Sequence, residues 1–362
     1  MLHRETREGS SARAGRARRL LPAMLGLTLA GCGWAGLGWG ALTYPTTQAG
    51  ESANVVASGG FAYATQGANG IEVIDLAAPD SRRVITPAKG TSADDLAIAD
   101  GLLFVLDARA PGQLSVYSLA NPAKPALVQA PVAVDVGPFS GVSAARGIVV
   151  VSGGTSMLSV RRYSADGRLE QPAANADLGR GQPDVLLAPD GRYAYVSVHV
   201  SGPKFRLVVL ELMADPLELR EVASLPLDTY GFTPGGAKPA SFPVEMALSG
   251  DRLLIASAAG LQVVDVADPA QPKPLANFEP PSLPVNVDAQ AQLAAVVGSS
   301  PTPVLTLVDL ANPAAPRALA SIRLPEGSRA TGVALAGRQV VVAAHAAGTL
   351  VFDLTTQIPQ EN

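Results

Sequence analysis

The chain has 362 residues, 48% of them hydrophobic and 16% charged, with 36 Gly, 30 Pro and a single Cys. So many turn-formers in a chain long enough to bury a large core exclude a helical bundle and favour a turn-rich all-β protein. The net charge of −4 is unevenly placed: beyond the first 32 residues, 21 basic groups face 29 acidic ones, a net −8 that disfavours nucleic acid and anionic membrane surfaces as partners of the folded body.

Residues 1–32 differ in kind from the rest. Arg4, Arg7, Arg13, Arg16, Arg18 and Arg19 precede a run with no charge until Glu51. A basic head before an apolar run is an export signal or a membrane anchor with its arginines on the cytoplasmic side. Two readings stay open. Leu29-Ala30-Gly31-Cys32 resembles the bacterial lipobox, which implies a signal peptide over 1–32 and a diacylglycerol on Cys32. The uncharged stretch 20–42 is also about the length that a transmembrane helix needs, with Trp34, Trp39 and Tyr44 at its outer end. On either reading the body is exported and membrane-tethered, in the periplasm or at the outer cell surface. With no second cysteine it forms no internal disulfide. Residues 33–52 form a linker.

From residue 53 a short phrase recurs. Gly70-Ile71-Glu72-Val73-Ile74-Asp75-Leu76 returns as Gly260 to Val266, Val304 to Leu310 and Gly348 to Leu354. Taking its Asp as a marker, equivalent positions fall at Asp75, Ser118, Tyr163, Glu211, Asp265, Asp309 and Asp353, at intervals of 43 to 54 residues. That spacing, with four short strands per unit, predicts an all-β, seven-bladed β-propeller of four-stranded blades over 53–357, preceded by the signal or anchor segment and followed by a tail at 358–362. Second strands such as Ile148 to Val151 and Val340 to Val342 are apolar on both faces, as sheets between neighbouring blades require. The last unit holds only three strands before Leu354, and the segment 43–50 is available to close the ring.

Leu261 to Pro272, with its Val-Val-Asp-Val-x-Asp-Pro-x-x-Pro pattern, resembles the LVIVD repeat of bacterial and archaeal envelope-associated β-propellers. The pattern is clear in units one, five, six and seven and weak in the others. Ala188 to Val196 in unit four instead resembles the YVTN and lactonase-like propeller repeat. The LVIVD resemblance implies a surface or periplasmic role and carries no catalytic residues with it.

The recurrent Asp residues sit in different blades and cannot converge on one ion. Their expected task is to accept backbone N–H groups of the following turn. Counting from the repeat instead brings Asn54, Asp95, Gly141, Asp184, Glu245, Asn286 and Gly332 to equivalent places at one mouth of the channel. Three carboxylates and two amides there suit Ca²⁺ or a cationic solute. His199 and His345 fall near the ends of second strands on the same face, in blades across the ring from each other. The longest connection, Asp228 to Phe242, carries Tyr230, Phe232, Lys238 and Phe242 and overhangs that mouth. Arg161-Arg162 and Lys204 to Arg206 read as solvated edges. No nucleophile elbow, zinc-protease helix or phosphate loop is present.

The expected function is therefore non-catalytic: a monomeric envelope propeller, needing no cofactor, that binds a protein, glycan or small molecule through its loop face. The alternative is a periplasmic lactonase-like hydrolase using Asp95, Asp184, Glu245 and His199 with Ca²⁺.

Overall fold

The structure is a computed structural model. It describes residues 53–354 apart from 89, 110–111, 135–140, 154–156, 171–173, 179–183, 202–203, 215–216, 228–244 and 258. Cys32, the apolar stretch 20–42, the closing segment 43–50 and the aromatics Tyr230, Phe232 and Phe242 lie outside the described residues.

Seven antiparallel sheets follow one another along the chain, each an up-and-down meander. Their inner strands are Val55–Ser58, Asp95–Ala99, Val142–Ala145, Asp184–Leu187, Glu245–Ser249, Leu283–Gln290 and Gly332–Ala336. Blades one, three, four, five and six have four strands. In blade two the outer strand is broken into Ala126–Leu127 and Val132–Val134, both paired to Gly112–Ser118. Blade seven shows three strands among the described residues. This is the seven-bladed all-β propeller that the repeat spacing predicts.

The core is not one mass but seven, each shared by two blades. Leu254, Ala256, Leu261 and Val263 of blade five pack with Val287, Val296 and Val308 of blade six, and the same arrangement recurs around the ring. It closes where Val55, Ala62, Ala64 and Ile74 of blade one meet Ala334, Val341, Ala343 and Val351 of blade seven. Second strands are buried on both faces; Leu102–Asp107 is buried at every position. Apolar burial at roughly 25 cal/mol per Å² is the main force holding the blades together.

The repeated Asp does the turn chemistry expected of it. Asp75, Asp265 and Asp309 each accept, on Oδ1, the N–H two residues on: Ala77 at 3.0 Å, Ala267 at 3.0 Å and Ala311 at 2.8 Å. Asp268 and Asn312 repeat the device in the next turn, toward Ala270 and Ala314.

One expectation fails. Arg161 is not a solvated edge but 8% exposed, because the third strand of blade three lies against blade two. Its Nη2 donates to the carbonyl of Ala133 at 3.1 Å, and burial pushes the guanidinium pKa down.

The seam between blades one and seven differs from the others. Glu72 and Arg82 of blade one form an ion pair at 3.5 Å with side chains 2% and 1% exposed. Arg82 Nη1 also donates to the carbonyl of Thr349 in blade seven at 3.0 Å. Gln66 Nε2 donates to the other Glu72 oxygen at 3.3 Å, and Gln339 Nε2 of blade seven reaches the Leu76 carbonyl at 2.9 Å.

Candidate functional site

The inner strands enclose a cavity of about 520 Å³. Asn54, Asp95, Asp184, Glu245 and Asn286 all line it, one from each of blades one, two, four, five and six. The two remaining positions are glycines, and each has a steric reason. A Cβ on Gly141 would lie 3.3 Å from Asp184 Oδ1 and 3.6 Å from Asp95 Oδ2, so the bare backbone of blade three lets the two carboxylates face one space. A Cβ on Gly332 would lie 2.9 Å from Asn54 Cα, so that glycine permits blade seven to approach blade one.

Part of this polar ring fastens the blades. Asn54 Nδ2 donates to Asp95 Oδ1, while Asn54 Oδ1 accepts the N–H of Val55 at 2.7 Å. Asp95 Oδ2 accepts the N–H of Val142 in blade three at 2.7 Å. Ser143 Oγ accepts Leu187 N–H of blade four at 2.9 Å, and the Asp184 carboxylate accepts Met246 N–H of blade five. In blade six, Asp288 Oδ2 accepts Leu335 N–H of blade seven at 2.7 Å. Side chains of one inner strand thus cap backbone groups of the next, which a channel-facing strand edge would otherwise leave to solvent.

Two groups are not used in this way. Glu245 and Asn286 find no side-chain hydrogen-bond partner among the described residues, although Asn286 is only 7% exposed. Both open onto the cavity.

The acids are electrostatically strained. Burial pushes Asp95 up to about 6, against the N–H bonds from Val142 and Leu96 and the Asn54 amide that hold its charge. Burial and then the Asp95 charge push Asp184 up to about 7. Glu245 is raised well above its ordinary range by burial first, then by Asp184 and Asp95. Solvent reaches these carboxylates through the channel, yet protein surrounds them at longer range, and that surrounding sets their desolvation. The mouth therefore holds protons near neutral pH rather than three full charges.

A pH dependence follows. The unfolded chain releases these protons near pH 4, whereas the folded mouth keeps them until about pH 6 to 7. The folded state binds more protons across that window, so stability falls as pH rises through it. Melting at pH 8 is expected roughly 5 °C below melting at pH 5, equivalent to about 2 kcal/mol. Asp184→Asn with Glu245→Gln flattens that profile; a double variant with the wild-type slope would show that the strain lies elsewhere.

His345 is not brought to this cavity. His345 lies in the turn after the strand Gln339–Ala343, with φ 52°, and is not among the lining residues. It occupies the place that Gly67, φ 54°, takes in the equivalent turn of blade one. His199 pairs with Phe205 in the extended hairpin of blade four. Asp288 also lines the cavity and was not singled out by position counting. Its signal was present: it stands two residues after Asn286, and alternation sets both on the same side of the strand. No group of three or more His, Cys, Asp or Glu among the described residues is placed to hold a metal ion.

Comparison with known proteins identifies the repeat at two places. The LVIVD repeat matches residues 49–82 and 244–278, the regions of blades one and five. The chain is a seven-bladed propeller carrying LVIVD repeats. A search of curated proteins finds no match. Among solved structures, one described as "Crystal Structure of Mitotic Checkpoint Complex" aligns with a TM-score of 0.62 and 12% identity, covering 86% of this chain and 93% of that one. At that identity the likeness shows the fold alone. Since 1088 solved chains match, the shape selects no activity, and the residues at the mouth of this LVIVD propeller must carry the functional argument.

Proposed function

We infer that this LVIVD propeller is an exported, membrane-tethered, non-catalytic binding protein of the bacterial envelope that takes its ligand at the acidic mouth of the channel. The observation that carries the reading is the convergence of Asp95, Asp184, Glu245 and Asn286, from four blades, on one cavity of ligand size, with Glu245 and Asn286 unengaged among the described residues. The tether rests on the arginine-rich head, the apolar run and the Leu29-Ala30-Gly31-Cys32 tetrapeptide. A second reading has one observation in its favour: neighbouring carboxylates with Asp184 near pKa 7 are poised for acid–base work, as in a hydrolase.

One set of full-length proteins separates these readings. In cells fed a fatty-acid analogue, wild type is expected to label and Cys32→Ala not to; unlabelled wild type would favour an uncleaved anchor. In a thermal-shift panel of glycans, amines, metal ions and lactones, a hit is expected with wild type that disappears in Asp184→Asn/Glu245→Gln. Lactone turnover lost in the same variant would replace the binding reading with the hydrolase.

A further inference from the structure

The mouth has a second anionic station below it. Asn286 and Asp288 stand two residues apart on the regular part of one strand, Leu283–Gln290, and share its channel-lining side. Two residues of extended chain rise about 7 Å, so the Asp288 carboxylate lies that much deeper than the ring of Asp184, Glu245 and Asn286. Each Asp288 oxygen accepts one backbone N–H, Ala289 on Oδ1 at 2.8 Å and Leu335 on Oδ2 at 2.7 Å. Those bonds fix the carboxylate in place and leave lone pairs for a further donor.

The upper station is unfinished as it stands. Glu245 crowds Asp184 and Asp95 without any hydrogen bond to its own carboxylate among the described residues. The Asn286 amide, on a residue only 7% exposed, has no side-chain partner there either and opens onto the cavity. A positive group in the same place removes the repulsion among the acids and takes over from their protons.

A single metal ion fits this layout poorly. Oxygen ligands of Ca²⁺ converge within 2.3–2.6 Å of one point, whereas no acid trio among the described residues is so placed, and the second station lies a further turn of strand away. Two cationic groups joined by a short chain match both stations.

We propose that the channel binds a small linear diamine, one ammonium held by Glu245, Asp184 and the Asn286 carbonyl oxygen, and the other by Asp288. The proposal rests on the mouth being the ligand site and names the ligand's chemical class. Ammonium groups supply only donors, which suits carboxylates and an amide oxygen, and a channel volume of about 520 Å³ admits a small molecule.

Titration calorimetry on the full-length protein tests this, with 1,4-diaminobutane, butylamine and CaCl₂ as separate probes. The diamine is expected to bind at least about tenfold more tightly than the monoamine, a difference of roughly 1.4 kcal/mol. Asp288→Asn should bring the diamine to the monoamine's affinity while leaving the monoamine unchanged. Glu245→Gln should weaken both, and binding near pH 7 should release protons, read by repeating the titration in buffers of different ionisation enthalpy. Far-ultraviolet circular dichroism confirms that each variant is folded. Absence of heat with millimolar diamine, equal affinity for diamine and monoamine, or calcium binding without amine binding would each overturn the diamine. If a neutral glycan binds instead and loses its affinity in Asp184→Asn/Glu245→Gln, the mouth stands as the site and only its cationic ligand falls.

Discussion

Arg82→Met is expected to lower the melting temperature by roughly 10 °C, the largest effect of any single substitution away from the hydrophobic interfaces. The exchange keeps the length and apolar stem of the side chain and removes the charge. Glu72, 2% exposed, is then left without its ion pair, and the Thr349 carbonyl loses the donor that joins it to blade one. Removing one partner of a buried pair costs about 3–5 kcal/mol because the other charge stays behind, and each kcal/mol moves the transition of a domain near this size by about 2–4 °C. Burial already raises Glu72 against the pull of Thr349, Arg82 and Gln66, so the variant should partly recover as the pH falls and Glu72 takes up a proton. The double change Glu72→Leu/Arg82→Met should restore most of the loss. A single variant melting within about 2 °C of wild type would show that the seam does not depend on the pair.

Deleting residues 43–52 from the full chain is expected to lower the transition by a similar amount and to promote self-association. The hydrogen-bond phase of blade seven leaves room for one more strand. Ala344 N–H bonds to Gly348 and Leu354 N–H to Arg338. With the register Ala343↔Thr349 to Gln339↔Asp353, this turns the peptide groups of Thr349, Val351 and Asp353 away from the second strand. In blade one the equivalent residues Ile71 and Val73 pair with Ile85 and Arg83 of the outer strand. Blade seven thus presents the slot for a fourth strand, and an edge left open there is a template for another chain. Closing the slot with the segment just before blade one ties both ends of the ring at a modest loop cost. An unchanged melting curve and a monomeric elution profile would assign the closing strand elsewhere.

Much of the frame is legible in the sequence because it depends on periodic features. Apolar second strands, a Gly turn and an Asp-Pro turn recur at nearly constant intervals, so counting from Asp75, Asp265, Asp309 and Asp353 gives the number of blades and the inner-strand starts. The shared position of Asn54, Asp95, Asp184, Glu245 and Asn286 around one opening follows from the same count. What the count misses is whatever depends on depth or on distant partners. Asp288 lies one layer below the aligned position. Glu72 falls within the repeated phrase where blades five, six and seven have Gln262, Thr306 and Leu350, and its burial is set by Arg82 and by a blade whose residues come more than 250 positions later. Arg161 reads as a surface charge because nothing local shows that Ala133 covers it. His345 looks like a rim ligand until its left-handed turn places it outside the lining of the channel.

The polar seam has a consequence for assembly. A chain of near-equivalent modules joined by interchangeable apolar faces has many ways to close, including with a neighbouring copy. Among the described residues, only one junction carries an ion pair whose two side chains are both almost fully buried. A wrong junction leaves the pair intact within blade one but takes the Thr349 carbonyl away from the buried Arg82 guanidinium, a loss of about 1.5–3 kcal/mol for a hydrogen bond to a charged group. The bonds that cross the seam, from Arg82 to Thr349 and from Gln339 to Leu76, therefore work as a key: they tell the first module that it has met the last one, and not merely another module like it.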